Sequence, residues 1–412
     1  MKEEMMSQFK DHKISVKQLL ALIPDAYLER LCQQSGVDRY AKVLHGRKLF
    51  YLLLYGMLEN ERLSQHSMED TFNDLLFKQL FQLDASEKVR RSSISERLSR
   101  IDADYFRQIY ECIYEQYAGL YSDSDKEKHK LIRVDSSLVS DTAGKLQSGL
   151  GSSGKKGVKY TMAFDGLLPC SAQAFNQSSY NSEEVALPKI VWQHVKQQTG
   201  HENLYVFDRG VQSARSLQSF DEQSVSFVCR AKENRKYELL ENLLKEGQPI
   251  DLGESILLSD ELVRLYYGQP IKNKKGNIHS RKTLLEQNFR LIIVESKQQP
   301  EQHFWLLANE LELSAQEIVQ AYRRRWDIEA AAAFSFLKQE LYMSHLVSLS
   351  QNGIQVMLYM TLIVAMLLLI YKHANGIGYK TAKRRFAMEV RNLAIAMEVA
   401  HCHGQLDKLF KT

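Results

Sequence analysis

The chain of 412 residues has little proline and little cysteine, 6 and 5 residues respectively. So few prolines, with only 20 glycines, exclude long flexible linkers and argue for a chain folded over most of its length. The cysteines (Cys32, Cys112, Cys170, Cys229 and Cys402) are widely separated, and no CxxC occurs. This spacing gives neither a disulfide framework nor a zinc site and fits a reducing compartment, the cytoplasm. His401-Cys402-His403 is a lone cluster near the terminus, more simply read as incidental than as a metal site. No charge sign dominates either: 54 basic residues face 50 acidic ones, and a net charge of +4 does not by itself imply a polyanion. The opening Met1-Lys2-Glu3-Glu4 is polar with no apolar region behind it, so no signal peptide is expected. There is one long apolar run, the sixteen residues from Val356 to Tyr371, with Thr361 its clearly polar member. A membrane span needs about 20 residues. A buried core helix is therefore expected, and no membrane.

What is present is an ordinary globular composition, 44% apolar and 25% charged, in a chain long enough for two or three domains and a sizeable core. The basic residues are clustered at Lys155-Lys156, Lys272-Asn273-Lys274-Lys275, Arg323-Arg324-Arg325 and Lys383-Arg384-Arg385. Any one of these reads as a solvated face. Four in one chain make a polyanion a reasonable partner.

Along the chain the period of the apolar residues changes. Residues 1–125 carry helical spacing at Val16 to Leu22, Leu49 to Leu58, Met68 to Phe81 and Tyr105 to Tyr121, which predicts an all-α domain. Within it, Arg90 to Arg100 is a basic, hydroxyl-rich helix start that suits either phosphate binding or a plain N-cap. Residues 126–231 then read as mixed α/β. Strands are predicted at Leu131 to Asp135, Val158 to Phe164, Leu167 to Phe175, Leu204 to Asp208 and Ser226 to Arg230, with an Asp165-Gly166 hairpin turn and a helix at Glu183 to Gln198. Two of these strands end in an aspartate. Residues 232–303 form a β-rich insertion with a charged tip and a short helix at Tyr237 to Leu244, residues 304–345 return to the core, and residues 346–412 are helical. Gly149 to Lys156 matches GxGxxG and nearly matches a phosphate-binding loop, but a strand follows where a helix is required. A mobile basic loop is the better expectation there.

A strong local signal lies at Ser314, whose capping-box spacing to Glu317 starts a helix free of Gly and Pro up to Leu341. Tyr322, Arg325 and Glu329 then share one face of an unbroken helix. A surface helix with ordinary charge pairs fits the same spacing. Combined with Asp135 and Asp208 at strand ends, however, Glu329 gives three carboxylates that a sheet and a packed helix can gather. Such a cluster repels itself unless hard divalent cations, Mg²⁺ or Mn²⁺, lie between its members. Two such ions about 4 Å apart suit phosphoryl transfer.

At these residues the sequence resembles the bacterial insertion-sequence transposases of the DDE type, IS-four group. The motifs are Val134-Asp135-Ser136-Ser137, Phe207-Asp208-Arg209-Gly210 and Tyr322-x2-Arg325-x3-Glu329, with Trp326 and Ile328 in place. The resemblance covers roughly residues 40 to 400 and implies a ribonuclease-H-like mixed-sheet core with the domain order above. It implies that Asp135, Asp208 and Glu329 ligate two metal ions. It also implies that Tyr322, Arg325, Arg209, Lys159 and Lys338 contact double-stranded DNA, and that Trp305 occupies the place of an aromatic that stacks on a flipped base. The implied activity is cleavage at the element's terminal inverted repeats followed by 3′-OH strand transfer into target DNA. The implied setting is a homodimeric synaptic complex at the bacterial nucleoid.

One departure stands out. The family places Lys seven residues after Glu, whereas here position 336 is Phe and the nearest lysine, Lys338, is nine residues on. In a regular helix Lys338 points about 180° away from Glu329. Either the helix bulges locally or Lys338 does not act as the family lysine. A metal-dependent nuclease of the same fold without strand transfer, and a DNA-binding relative with impaired catalysis, are the alternatives.

Overall fold

The computed structural model describes residues 15–60, 62–118, 130–140, 146, 149–152, 155–165, 169–197, 203–244, 249–272, 278–326, 337 and 346–401. The chain packs as two compact units, residues 1–121 with 140–147 and 333–412, and residues 122–139 with 148–332.

Among the described residues the first unit opens with seven helices: α1 (Val16–Leu20), α2 (Asp25–Ser35), α3 (Gly46–Glu59), α4 (Gln65–Asn73), α5 (Leu75–Leu80), α6 (Arg91–Arg100) and α7 (Ala103–Ala118). Local chemistry sets their ends. Ser15 with Gln18 and Ser64 with Ser67 form capping boxes, and α2 stops at Gly36, where φ is +63°. The single helix expected over Met68 to Phe81 is two, because the Asp74 side chain accepts the Leu76 amide and restarts the helix in a new direction. Helix α2 was not foreseen from the apolar spacing. At the basic helix start, the cap residue Arg90 makes no side-chain cap bond, so the plain N-cap reading does not hold. Instead Glu69 accepts the Arg91 amide at 3.0 Å, taking with a carboxylate the place a phosphate would fill.

The second unit is built on one mixed sheet. Its strands are β1 (Lys130–Ser140), β2 (Leu150–Ser152), β3 (Lys155–Phe164) and β4 (Pro169–Phe175). Helix α8 (Glu183–Gln197), β5 (Asn203–Phe207), α9 (Ala214–Glu222) and β6 (Ser226–Arg230) follow. Next come β7 (Tyr237–Asn242), β8 (Ile250–Asp251), β9 (Ser255–Lys272), β10 (Ile278–Ser296), β11 (His303–Ala308) and α10 (Ala315–Arg323). The order is β2-β3-β1-β5-β6-β11-β10-β9-β7, with β4 on β3 and β8 on β9. The antiparallel β3–β4 pair followed by parallel β1, β5 and β6 is the ribonuclease-H-like arrangement. Every residue of β5 is buried, as a central parallel strand requires.

The insertion does not fold into a sheet of its own. Strand β11 lies antiparallel to both β6 and β10, so the 18- and 19-residue strands β9 and β10 continue the core sheet outward. The helix expected at Tyr237 to Leu244 is the edge strand β7; main-chain pairing with β9 outweighs the helical spacing of its leucines, and Leu239 and Leu240 are exposed. The glycine-rich stretch is paired strand where it is described, not the loop expected. Leu150 to Ser152 pairs antiparallel with Lys155 to Gly157. The turns expected at Asp165-Gly166 and Lys275-Gly276-Asn277 fall wholly or partly outside the described residues.

The chain then returns to the first unit with α11 (Gln351–Asn375) and α12 (Tyr379–His401). Helix α11 is long and apolar enough to cross a membrane, but 89% of its most apolar window is buried. It packs against α1, α3, α6, α7 and α12, so it is the core of the helical unit, as the short apolar run predicts. Cys402 and His403 lie outside the described residues.

Candidate active site

The site starts from strand register. Strands β1 and β5 run parallel with Val134 opposite Phe207 as their last pair, so Asp135 and Asp208 come next in the two chains, just beyond the ladder. Neighbouring strands lie about 4.8 Å apart. Asp208 follows the carboxyl end of β5, where open α/β sheets place ligand sites; Asp135, expected to end its strand, lies within β1 instead, because that strand runs on to Ser140.

Asp208 is held from above by α10. Ser314 and Glu317 form the capping box that the spacing predicts. Ile318, Val319 and Ala321 bury that helix against Leu204, Val206, Val228 and Leu306 of the sheet. This packing carries Tyr322 over the end of β5, where its hydroxyl donates to Asp208 Oδ1 at 3.1 Å. The helix does not continue regularly. Arg324 to Trp326 tightens into a 3₁₀ turn, in which residues three apart eclipse. Arg325 therefore stacks above Tyr322, its guanidinium carbon 5.6 Å from the ring centre, and its Nη2 lies 3.5 Å from Asp208 Oδ2. Each oxygen of Asp208 thus faces one of these two side chains.

Burial and nearby charge set the protonation states. Burial pushes the Tyr322 phenol up to about 12, helped by the adjacent Asp208 carboxylate, so at neutral pH it stays a proton donor. Asp135 is exposed to solvent, yet the protein packed around it desolvates its carboxylate and raises its pKa. The Ser136 amide, 2.8 Å from Oδ1, and the charge of Arg325 oppose the rise, while Glu183 and Asp208 add to it. The two aspartates are hard oxygen donors, the chemistry that a divalent cation takes. Among the described residues no three acids, histidines or cysteines gather as a metal cluster. Glu329 and Lys338 lie outside the described residues.

The other residues expected at the site fall as follows. Arg209 is exposed at the surface, 3.9 Å from Glu233. Trp305 is half-buried on β11, edge-on to Tyr237 at 6.3 Å, while its neighbour Phe304 carries the Arg230 guanidinium on its ring. Lys159 requires a correction. It does not face DNA but points inward from β3, with 5% of its surface exposed, and its ammonium pairs with Glu183 at 2.9 Å and donates to the Asn181 carbonyl. An apolar-flanked strand position, between Val158 and Tyr160, buried it.

Glu183 and Glu184 were missed. They open α8 beside the site, and Glu184 accepts the Gln212 and Ser213 amides, fixing the loop behind Asp208. Paired acids at a predicted helix N-terminus were the available signal.

Residues 126–367 match the family model described as Transposase DDE domain. The chain belongs to the DDE transposases. It is thus a DNA transposase, a member of a family of enzymes that carry out phosphoryl transfer on DNA and generally use divalent metal ions. No curated protein matches this transposase. Among solved structures it is similar to a piggyBac transposase, determined by cryo-EM as a synaptic complex with hairpin DNA. The two are 12% identical with a TM-score of 0.45, over 95% of this chain and 82% of that one.

Proposed function

We propose that this transposase cuts DNA at the terminal inverted repeats of a bacterial insertion element and joins the freed 3′-OH to target DNA, with Asp135, Asp208 and Glu329 as its catalytic metal ligands. The reading is supported above all by the placement of Asp135 and Asp208 one residue beyond the last pair of the parallel β1–β5 ladder, with Tyr322 and Arg325 converging on Asp208. Two Mg²⁺ or Mn²⁺ ions bound there supply Lewis-acid stabilisation of the charge that builds on the phosphoryl oxygens.

The chain's own residues do the rest. Tyr322 holds one oxygen of Asp208 by donating to it and leaves the other turned toward Arg325. The Arg325 charge keeps Asp135 more readily ionised than burial alone allows. In the DNA complex Tyr322 and Arg325 lie next to the phosphate being cut, with Arg209 and Trp305 on the flanking strand. The enzyme works as a homodimer bringing two element ends together, in the bacterial cytoplasm at the nucleoid. We further assign residues 126–231 and 304–345 to the catalytic core, 232–303 to the insertion, 1–125 to DNA binding and 346–412 to a helical region.

The test is Mg²⁺-dependent cleavage of a cognate element end. Wild type is expected to cut and Asp208→Asn to be inactive; equal cutting by both defeats the assignment. Strand transfer of the freed 3′-OH into a second duplex separates transposition from simple nuclease action.

A further inference from the structure

We infer that Glu183 is a positioning residue that sets the spacing of Asp135 and Asp208, with Lys159 as its internal counter-ion. The inference rests on the reading of the two aspartates as metal ligands and adds what holds them in place. The β1–β5 ladder ends at Val134 and Phe207, one residue short of both acids. Beyond that point β1 runs on to Ser140, while the chain after β5 turns away through Arg209 and Gly210. Main-chain pairing therefore does not fix how far apart the two carboxylates stand, and like charges at neighbouring strand ends tend to spread.

Glu183 touches both sides of the gap. Its Oε2 accepts the Ser136 hydroxyl at 2.7 Å, and the Ser136 amide in turn donates to Asp135 Oδ1. At its other end, its Cβ and Cγ lie against Gly210 so closely that a methyl group there would come within 2.5 Å of Cβ. Gly210 closes the turn behind Asp208, donating its amide to the Asp208 carbonyl at 2.7 Å. One side chain thus braces the Asp208 turn with its stem and the Asp135 strand with its carboxylate.

A third carboxylate this close would worsen the repulsion if left uncompensated. Lys159 offsets that cost, pairing with Oε1 at 2.9 Å from a nearly buried position. A role confined to pinning α8 onto β3 would need the ion pair alone. The Ser136 bridge, itself in contact with the buried Thr161 hydroxyl at 2.9 Å, is what the positioning role adds.

The test titrates the full-length protein with Mn²⁺ by calorimetry, without DNA, and records melting temperatures. Ser136→Ala cuts the bridge and spares the ion pair. Glu183→Asp keeps the charge opposite Lys159 but withdraws it by one methylene from Ser136. Both are expected to weaken Mn²⁺ binding by roughly tenfold, as loss of an orienting partner does at metal sites, with Ser136→Ala melting close to wild type. Wild-type Mn²⁺ affinity in Ser136→Ala, with binding lost in Asp208→Asn, overturns the inference and leaves the site standing. So does a weakening confined to Glu183→Asp that follows its melting temperature. Wild-type affinity in Asp208→Asn removes the metal-site reading itself.

Discussion

The Tyr322 hydroxyl donates to Asp208 Oδ1 at 3.1 Å across 114 positions of sequence. The contact links the site helix to a strand end and exists only because α10 is packed on the sheet at that height. Tyr322→Phe keeps the ring and its packing and removes the bond. A hydrogen bond to a charged group contributes about 1.5–3 kcal/mol, so the cleavage rate is expected to fall by about tenfold or more. Single-turnover cleavage of a bound end measures this; an unchanged rate means Asp208 is oriented without the phenol.

Arg325 governs the response to pH. Burial raises the Asp135 pKa, Glu183 and Asp208 raise it further, and Arg325 pulls the other way. Replacing Arg325 by Met removes that restraint, so the Asp135 pKa climbs. A proton and a divalent cation compete for the same carboxylate, and a higher pKa means the proton wins at a higher pH. In Arg325→Met the loss of Mn²⁺ binding on acidification is therefore expected to begin at higher pH than in wild type, as read by calorimetric titration at a series of pH values. A shift to lower pH refutes the electrostatic role.

How far the sequence foretold the site depends on how local each feature is. The strand that leads to Asp208 and the Ser314–Glu317 cap follow from short-range patterns and lie where those patterns place them, whereas the strand through Asp135 runs on to Ser140 and does not end at the acid. That Tyr322 and Arg325 share a direction was also legible, but the 3₁₀ turn that aligns them was not, because no Gly or Pro marks it. Lys159 was misread since a lysine in a strand gives no sign of its face until the helix opposite supplies Glu183. Helix against strand in Tyr237 to Asn242 was decided by β9, more than ten residues downstream, and no window over β7 alone contains that information.

Gly210 is expected to tolerate no side chain. A Cβ there would stand 2.5 Å from Glu183 Cβ and 2.8 Å from its Cγ, well inside contact distance. Gly210→Ala must push the turn and α8 apart, at a cost of about 1–3 kcal/mol for overpacking. Because that turn carries Asp208, cleavage should suffer more than stability does. The check compares melting temperature with the cleavage rate; a variant that cuts normally would show that the turn relaxes without moving Asp208.

A buried ion pair in the insertion, Arg290 with Asp260, ties the outer strands to the site helix. Arg290 Nε and Nη2 donate to the two Asp260 oxygens at 2.7 and 2.6 Å, with both residues under 10% exposed. Its Nη1 donates to the carbonyl of Leu313, the residue just before the Ser314 cap. Arg290→Met leaves Asp260 buried without a partner and the Leu313 carbonyl without its donor, and breaking such a pair costs about 3–5 kcal/mol. Changing both residues, Arg290→Met with Asp260→Leu, removes the stranded charge and should recover most of that loss, short of the carbonyl's unmet bond. The measurement is urea unfolding followed by tryptophan fluorescence. Trp192, Trp305 and Trp326, all three tryptophans of the chain, lie in the second unit, so the signal reports that unit alone. If the double variant is as unstable as the single one, the stranded carboxylate is not the source of the loss.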